Sequence, residues 1–436
     1  MGGVGKEIVL KCIYSNNEAQ SVIRRCASRQ LQHMAIATGL VRQRIESIDV
    51  LRGIVMVIMA IDHARDFFYM SPASAANVAA DPTNLASTCT ILFFTRWITH
   101  FCAPTFLFLS GISAFLMRGK KSVPELRSFL LKRGLWLIIV EVAIITLAWS
   151  FNPFYNVFFL QVIWAIGISM VLLGLVVSLP VSFIMAMGAI LLLGHNVLDF
   201  EAIVRPPQGN FLWDLALHGA FNYYPLCESR GLIVVYAFLP WTGLMFLGYG
   251  FGQLYLPGFN AAQRRKILIR AGIGITVLFI LLRFANVYGD PSPWSVQERG
   301  AWFTFLSFIN TTKYPASLQY VTMIIGPALI ALALLEDYRN RVTDFFNQFG
   351  RVPMFFYIAH LYLLHAMLAV MFFVKGFGPG QITTPGLPFN FLPAGLGFGL
   401  PGVYIAWALA IAMLYPLCRR YNDYKSTHSH WWLSYF

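Results

Sequence analysis

Apolar and polar positions along the chain alternate in long blocks: about ten stretches of roughly 18 to 25 mostly apolar residues, each able to cross ~30 Å of hydrocarbon as a helix. They fall at 48–70, 91–117, 134–151, 157–179, 181–198, 231–255, 271–288, 316–335, 353–374 and 399–418. The short alternating segments of a membrane barrel are absent. The pattern predicts an all-α fold, a polytopic transmembrane helical bundle of about 10 helices that satisfy their own backbone polar groups. By organisation this is a polar, basic N-terminal segment at 1–47, a single bundle at 48–418 and a C-terminal tail at 419–436.

Composition agrees with the pattern. The chain is 58% hydrophobic and 12% charged, with a mean hydropathy of +0.63, outside the range of ordinary soluble domains. Its net charge of +13 does not point to nucleic acid, because the basic residues gather in alternate loops. Lys and Arg cluster before the first stretch (Arg42, Arg44) and after the second (Arg118, Lys120, Lys121, Arg127, Lys132, Arg133). They recur after the sixth (Arg264, Arg265, Lys266, Arg270), the eighth (Arg339, Arg341, Arg351) and the tenth (Arg419, Arg420, Lys425). By the positive-inside rule this alternation puts both termini in the cytoplasm.

No CxxC or other metal-ligand spacing occurs, so no metal is expected. Cys89 and Cys227 both fall in predicted outer loops, where free thiols fit better than a disulfide. The Gly- and Pro-rich run at 375–398 reads as an irregular loop held by its own aromatics, with a lid over a site as the functional alternative. Two stretches, "FCAPTFLFLSG" from Phe101 and "FLPWTGLMFLG" from Phe238, are faintly alike but too short to establish a repeat.

Charge inside the apolar stretches carries the chemistry. An ionisable group at membrane depth costs roughly 3 kcal/mol on insertion scales, so each asks for a partner or a purpose. In the first stretch, "LRGIVMVIMAIDHARDFF", Arg52 and His63 are eleven residues apart. At 100° per residue they share a face, separated by roughly 16 Å along the axis. Arg52 could alternatively snorkel or pair with Asp49, and Asp62 is spaced for an ion pair with Arg65. Arg65 and Asp66 read as outer-interface charges. His63 follows a run with a single charge and is the one group there suited to acid/base work near neutral pH. In the second stretch Arg96 and His100 lie one turn apart, and Pro104 frees the His100 carbonyl. In the ninth, His360 and His365 point to different faces, so at most one can share a cavity with His63.

These residues carry a resemblance. "RIESIDVLRGIVMVIMAIDHARDFF", "FFTRWITHFCAPTFLFLSGISAFL", "GRVPMFFYIAHLYLLH" and the closing "WWLSYF" resemble bacterial membrane proteins related to heparan-α-glucosaminide N-acetyltransferase, within a wider superfamily of transmembrane acyltransferases. In that superfamily an Arg followed eleven residues later by His on the first helix is the functional signature, matched here by Arg52 and His63. The resemblance implies acyl transfer, usually of acetyl from cytoplasmic acetyl-CoA, to a sugar-type or other small acceptor. In the eukaryotic lysosomal members the position matching His63 reads as Asn, with the catalytic His further on. Here no His lies between His63 and His100, so that role falls on one of these two, and glucosamine as acceptor is not assumed.

The expected enzyme is therefore an acyltransferase of the cell (inner) membrane. His63, Asp62 and His100 are its catalytic candidates, and Arg52, Arg96 and His360 its substrate-binding candidates. No permanently bound cofactor is expected. The partners are acyl-CoA as donor, a small-molecule or glycan acceptor and the lipid bilayer, with no nucleic acid and with a homo-oligomer left open. A proton-coupled transporter using the same Arg, His and Asp residues is the alternative. Haem ligation by His63, His100 and His360 is a weaker one.

Overall fold

The computed structural model describes residues 45–70, 81–199, 210–219, 221–384 and 387–435. Most of the N-terminal segment expected at 1–47 lies outside the described residues, and everything from Ser47 onward belongs to one compact unit. Among the described residues the fold is mostly helical, and its main helices are labelled in chain order. They are α1 (Glu46–Phe68), α2 (Thr90–Trp97), α3 (Cys102–Met117), α4 (Val123–Val140), α5 (Thr146–Ser150), α6 (Val162–Val176) and α7 (Val181–Gly194). After a hairpin follow α8 (Phe238–Phe251), α9 (Ala261–Ala285), α10 (Ala301–Ile309), α11 (Leu318–Leu334), α12 (Arg341–Arg351), α13 (Pro353–Val374) and α14 (Leu400–Thr427).

Among the described residues, five helical segments are long and apolar enough to cross a membrane: Thr90–Met117, Val181–Asp199, Ala261–Ala285, Pro353–Val374 and Leu400–Thr427. Helices α6 and α11 are as apolar but shorter. Helix α1 has the length, but Arg52, Asp62, Arg65 and Asp66 break its apolar run, and most of its residues are buried among other helices.

Two of the expected all-helical stretches begin as strands. β1 (Val157–Leu160) lies parallel to β3 (Arg230–Val234), which pairs antiparallel with β2 (Asn222–Cys227), giving the order β1-β3-β2. The apolar count could not separate these from helix. A four-residue Val-Phe-Phe-Leu run is as hydrophobic as a helical turn, but its branched and aromatic side chains suit a pleated surface. The tail boundary at 418 also moves: α14 continues to Thr427. Tyr421 stacks on Phe355 with ring centroids 4.5 Å apart, and Asn422 donates to Gln348, so the polar end of the helix is held.

Helices approach to backbone contact where glycines allow it. A Cβ at Gly53 would strike the Phe346 carbonyl, and one at Gly350 would strike the Asp49 carbonyl, so α1 lies against α12 with no side chain between them. The two look-alike stretches, in α3 and α8, meet through their final glycines: a Cβ at Gly111 would strike the backbone at Met245, and one at Gly248 the Phe108 carbonyl. The carbonyl that Pro104 frees at His100 accepts the Tyr320 hydroxyl at 2.9 Å, beside a 3-10 turn at Ile98–Phe101.

The loop between α9 and α11 is built on a buried cation. Arg283, 1% exposed, donates to the carbonyls of Phe308 (2.7 Å), Ser292 (3.2 Å), Ser307 (2.9 Å) and Asn310 (2.8 Å), and to Gln319 (3.0 Å). Asp290 completes the clamp, accepting from Thr312 and Ser317. A buried acceptor left unpaired costs about 1–3 kcal/mol, so Arg283→Met should cost more than about 3 kcal/mol in thermal unfolding and expose the 289–317 loop to protease. A variant as stable and as resistant as the wild type would show that the clamp is dispensable.

Candidate active site

A cavity of about 1020 Å³ runs beside α1. Arg52 and Arg133 line one end. Asp62, His63, Arg65, Asp66, Arg96, His100, Lys313 and Tyr314 line the other, and the stretch between is apolar, with Met56, Met59, Phe106, Leu137 and Met170. The small sheet supplies part of the wall through Phe159 and Ile233. The Gly/Pro loop supplies Pro388, Phe389 and Leu392. The loop is irregular and held through its aromatics, Phe391 packing on Phe372 of α13 with centroids 5.4 Å apart, and its backbone is pinned to the carbonyls of Ser150 and Phe68.

Arg52 is held from three sides. It donates to Asp49 at 3.0 Å, to Ser113 Oγ at 3.0 Å and to the Gly350 carbonyl at 3.3 Å, the last available because Gly350 brings α12 so close. The pairing with Asp49 and the cavity-facing position therefore coexist. Arg133 of α4 lies over the Phe129 ring at 5.8 Å and adds a second guanidinium at this end.

At the far end His63 is flanked by Trp149 (ring centroids 5.0 Å) and stacked on His360 (4.9 Å). Its Nδ1 lies 2.6 Å from His360 Nε2, and His360 Nδ1 lies 2.9 Å from the Phe356 carbonyl. A carbonyl only accepts, so His360 carries its proton on Nδ1, and a neutral His360 then accepts at Nε2 from His63 Nδ1. This leaves the His63 Nε2 lone pair, which has no partner among the described residues, on a ring that lines the cavity. His360 itself is fully buried behind His63 rather than on the cavity wall. With nitrogens 2.6 Å apart, the pair leaves no room for an iron between them. His365 lies elsewhere, its Nδ1 3.0 Å from the Ala148 carbonyl and its Nε2 3.0 Å from the Asn390 carbonyl, so the neutral ring donates to one of the two.

Asp62 is turned toward cations rather than toward His63. It forms an ion pair with Arg65 at 2.7 Å and accepts from Arg96, while Arg65 also donates to Asp66 at 2.6 Å. Arg65 is 7% exposed, so it belongs to the cavity end rather than to an outer interface. His100 lines the cavity with a buried Nδ1 that lacks a hydrogen-bond partner among the described residues. Lys313 rests over the Tyr314 and Tyr236 rings, 5.0 and 5.7 Å from their centroids. Burial pushes the Tyr314 hydroxyl up, but Lys313 and Arg96 pull it down, and the balance falls below the ordinary tyrosine value. Five basic residues against three acidic ones line the cavity, so it is electropositive.

The family model for heparan-alpha-glucosaminide N-acetyltransferase, catalytic, matches residues 44–285. The chain belongs to this family. No curated protein matches it. The heparan-alpha-glucosaminide N-acetyltransferase match runs from α1 to the end of α9 and so contains Arg52, Asp62, His63, Arg96, His100 and Arg133; Lys313 and His360 lie beyond it. With its long apolar helices, the chain is an acetyltransferase-type enzyme of a membrane. Neither Lys313 nor Arg133 stands out in the sequence as a site residue. Lys313 is one lysine in a loop that the positive-inside count treats as background, and Arg133 sits in a basic cluster.

Proposed function

We propose that the protein transfers an acetyl group from acetyl-CoA to a hydroxyl or amine acceptor in this cavity, with His63 as general base. The observation that carries this reading is the His63 ring, its Nδ1 held by His360 and its Nε2 without a partner among the described residues, lining a cavity that also reaches Arg52 and Arg133. Two guanidiniums at one end suit the phosphates of the donor. The pantetheine arm then follows the methionine-lined stretch, and the roughly 16 Å from Arg52 to His63 along α1 is a length such an arm can cover. His63 Nε2 takes the acceptor proton, the acceptor heteroatom attacks the thioester carbon, and the thiolate leaves as CoA. His100, with its unpartnered Nδ1, faces the acceptor, and Asp62 holds Arg96 and Arg65 in place. Transfer is direct, without an acetyl-His intermediate.

The same reading has about ten crossings with both termini in the cytoplasm and the Arg52 end facing inward, in a cell membrane of the inner type; the loop-by-loop alternation of Lys and Arg supports it. Incubating the purified protein with labelled acetyl-CoA and a membrane or glycan extract should label an acceptor. Failure to release CoA under any acceptor condition would overturn the proposal.

His360 is the positioning residue in this scheme. His360→Phe keeps an aromatic ring but removes the acceptor that holds the His63 Nδ1 proton, so a general base contribution of order 10²-fold should be lost in part. Expected is a fall in kcat of about 10-fold or more with KM for acetyl-CoA unchanged and a displaced pH profile; an unaltered pH–rate profile would rule the positioning role out.

A further inference from the structure

We propose that Lys313 is a second catalytic residue, whose ammonium stabilises the negative charge formed on the thioester oxygen during transfer. The inference rests on the acyl-transfer reading of the cavity. Lys313 lines the same cavity end as His63 and His100, and its charge bears on both and on Asp62. Of the three carboxylates lining the cavity, Asp62 is committed to Arg65 and Arg96 and Asp66 to Arg65, while Asp81 accepts from the backbone and hydroxyl of Thr83. Among the described residues none lies within ion-pair reach of Lys313, whose contacts are the two tyrosines. An ammonium held in a partly enclosed cavity without a counter-ion is electrostatically incomplete until a negative charge arrives. Its loop is fixed by the Arg283 and Asp290 clamps, so little reorganisation is needed at the moment of reaction.

In the transfer step the acceptor O–H or N–H gives its proton to His63 Nε2 and its electron pair to the carbonyl carbon. The carbonyl π pair moves onto oxygen, facing Lys313 Nζ. Collapse restores C=O and breaks C–S, and the thiolate leaves with the proton from His63. Lys313 neither gives nor takes a proton.

The test reads CoA thiol release from acetyl-CoA by the full-length purified protein, with water and with glucosamine as acceptor probes. Lys313→Ala should lower kcat by about 10²–10³-fold, the usual loss on removing one oxyanion partner, with KM for acetyl-CoA within about threefold. Lys313→Arg should keep much of the rate, and added methylammonium should restore part of it to Lys313→Ala. An unchanged kcat, a loss wholly in KM, or a loss that neither Arg nor methylammonium relieves would overturn the assignment. If His63→Ala stays active while Lys313→Ala does not, the base assignment fails and the Lys313 assignment stands. If the wild type releases no CoA, both fall.

Discussion

His63→Ala is expected to reduce acetyl transfer by about 10³-fold or more while the protein remains folded and still binds acetyl-CoA. General base catalysis contributes 10²–10⁴-fold, and among the described residues no other cavity nitrogen is held as His63 is, with one ring nitrogen committed to His360 and the other without a partner. The fold should tolerate the change because the His63 ring already borders a cavity of about 1020 Å³, so its removal enlarges an existing space instead of opening a new one in packed core. The measurements are single-turnover transfer from labelled acetyl-CoA and a thermal melt in detergent. Near-wild-type transfer would move the base to His100, the one other imidazole lining the cavity among the described residues.

Asp62→Ala should be the most destabilising change at the site. Asp62 is the shared counter-ion of Arg65 and Arg96, and the three side chains are only 11%, 7% and 13% exposed. Removing one partner of a buried pair costs about 3–5 kcal/mol because the remaining charge stays desolvated, and here two guanidiniums are left. Arg65 retains Asp66, so Arg96 suffers more. Asp62→Asn preserves shape and some hydrogen bonding and should cost less. A melt of Asp62→Ala within about 1 kcal/mol of wild type would show that the two arginines find other partners.

Relationships between near neighbours are legible in the sequence. The Asp49–Arg52 and Asp62–Arg65 pairs follow from three-residue spacing on a helix, and both form, at 3.0 and 2.7 Å. The shared face of Arg52 and His63 follows from eleven residues at 100° each, and both line one cavity. The free carbonyl at His100 follows from Pro104, though its partner, Tyr320, lies 220 residues away. The relationships that organise the chemistry are of that distant kind. His63 meets His360 across 297 residues, and Asp62 meets Arg96 across 34.

Periodicity and charge thus dictate that this chain is helical, that its apolar stretches lie in a membrane, and that Arg52 and His63 look the same way, because each of these depends on neighbours along one helix. Whether His360 backs His63 or lines the cavity, whether Asp62 orients a base or neutralises two arginines, and whether Lys313 reaches the site at all depend on which helices touch. That is decided by glycine contacts such as Gly53 against Gly350 and by buried clamps such as Arg283, whose effect appears only once distant segments are packed together.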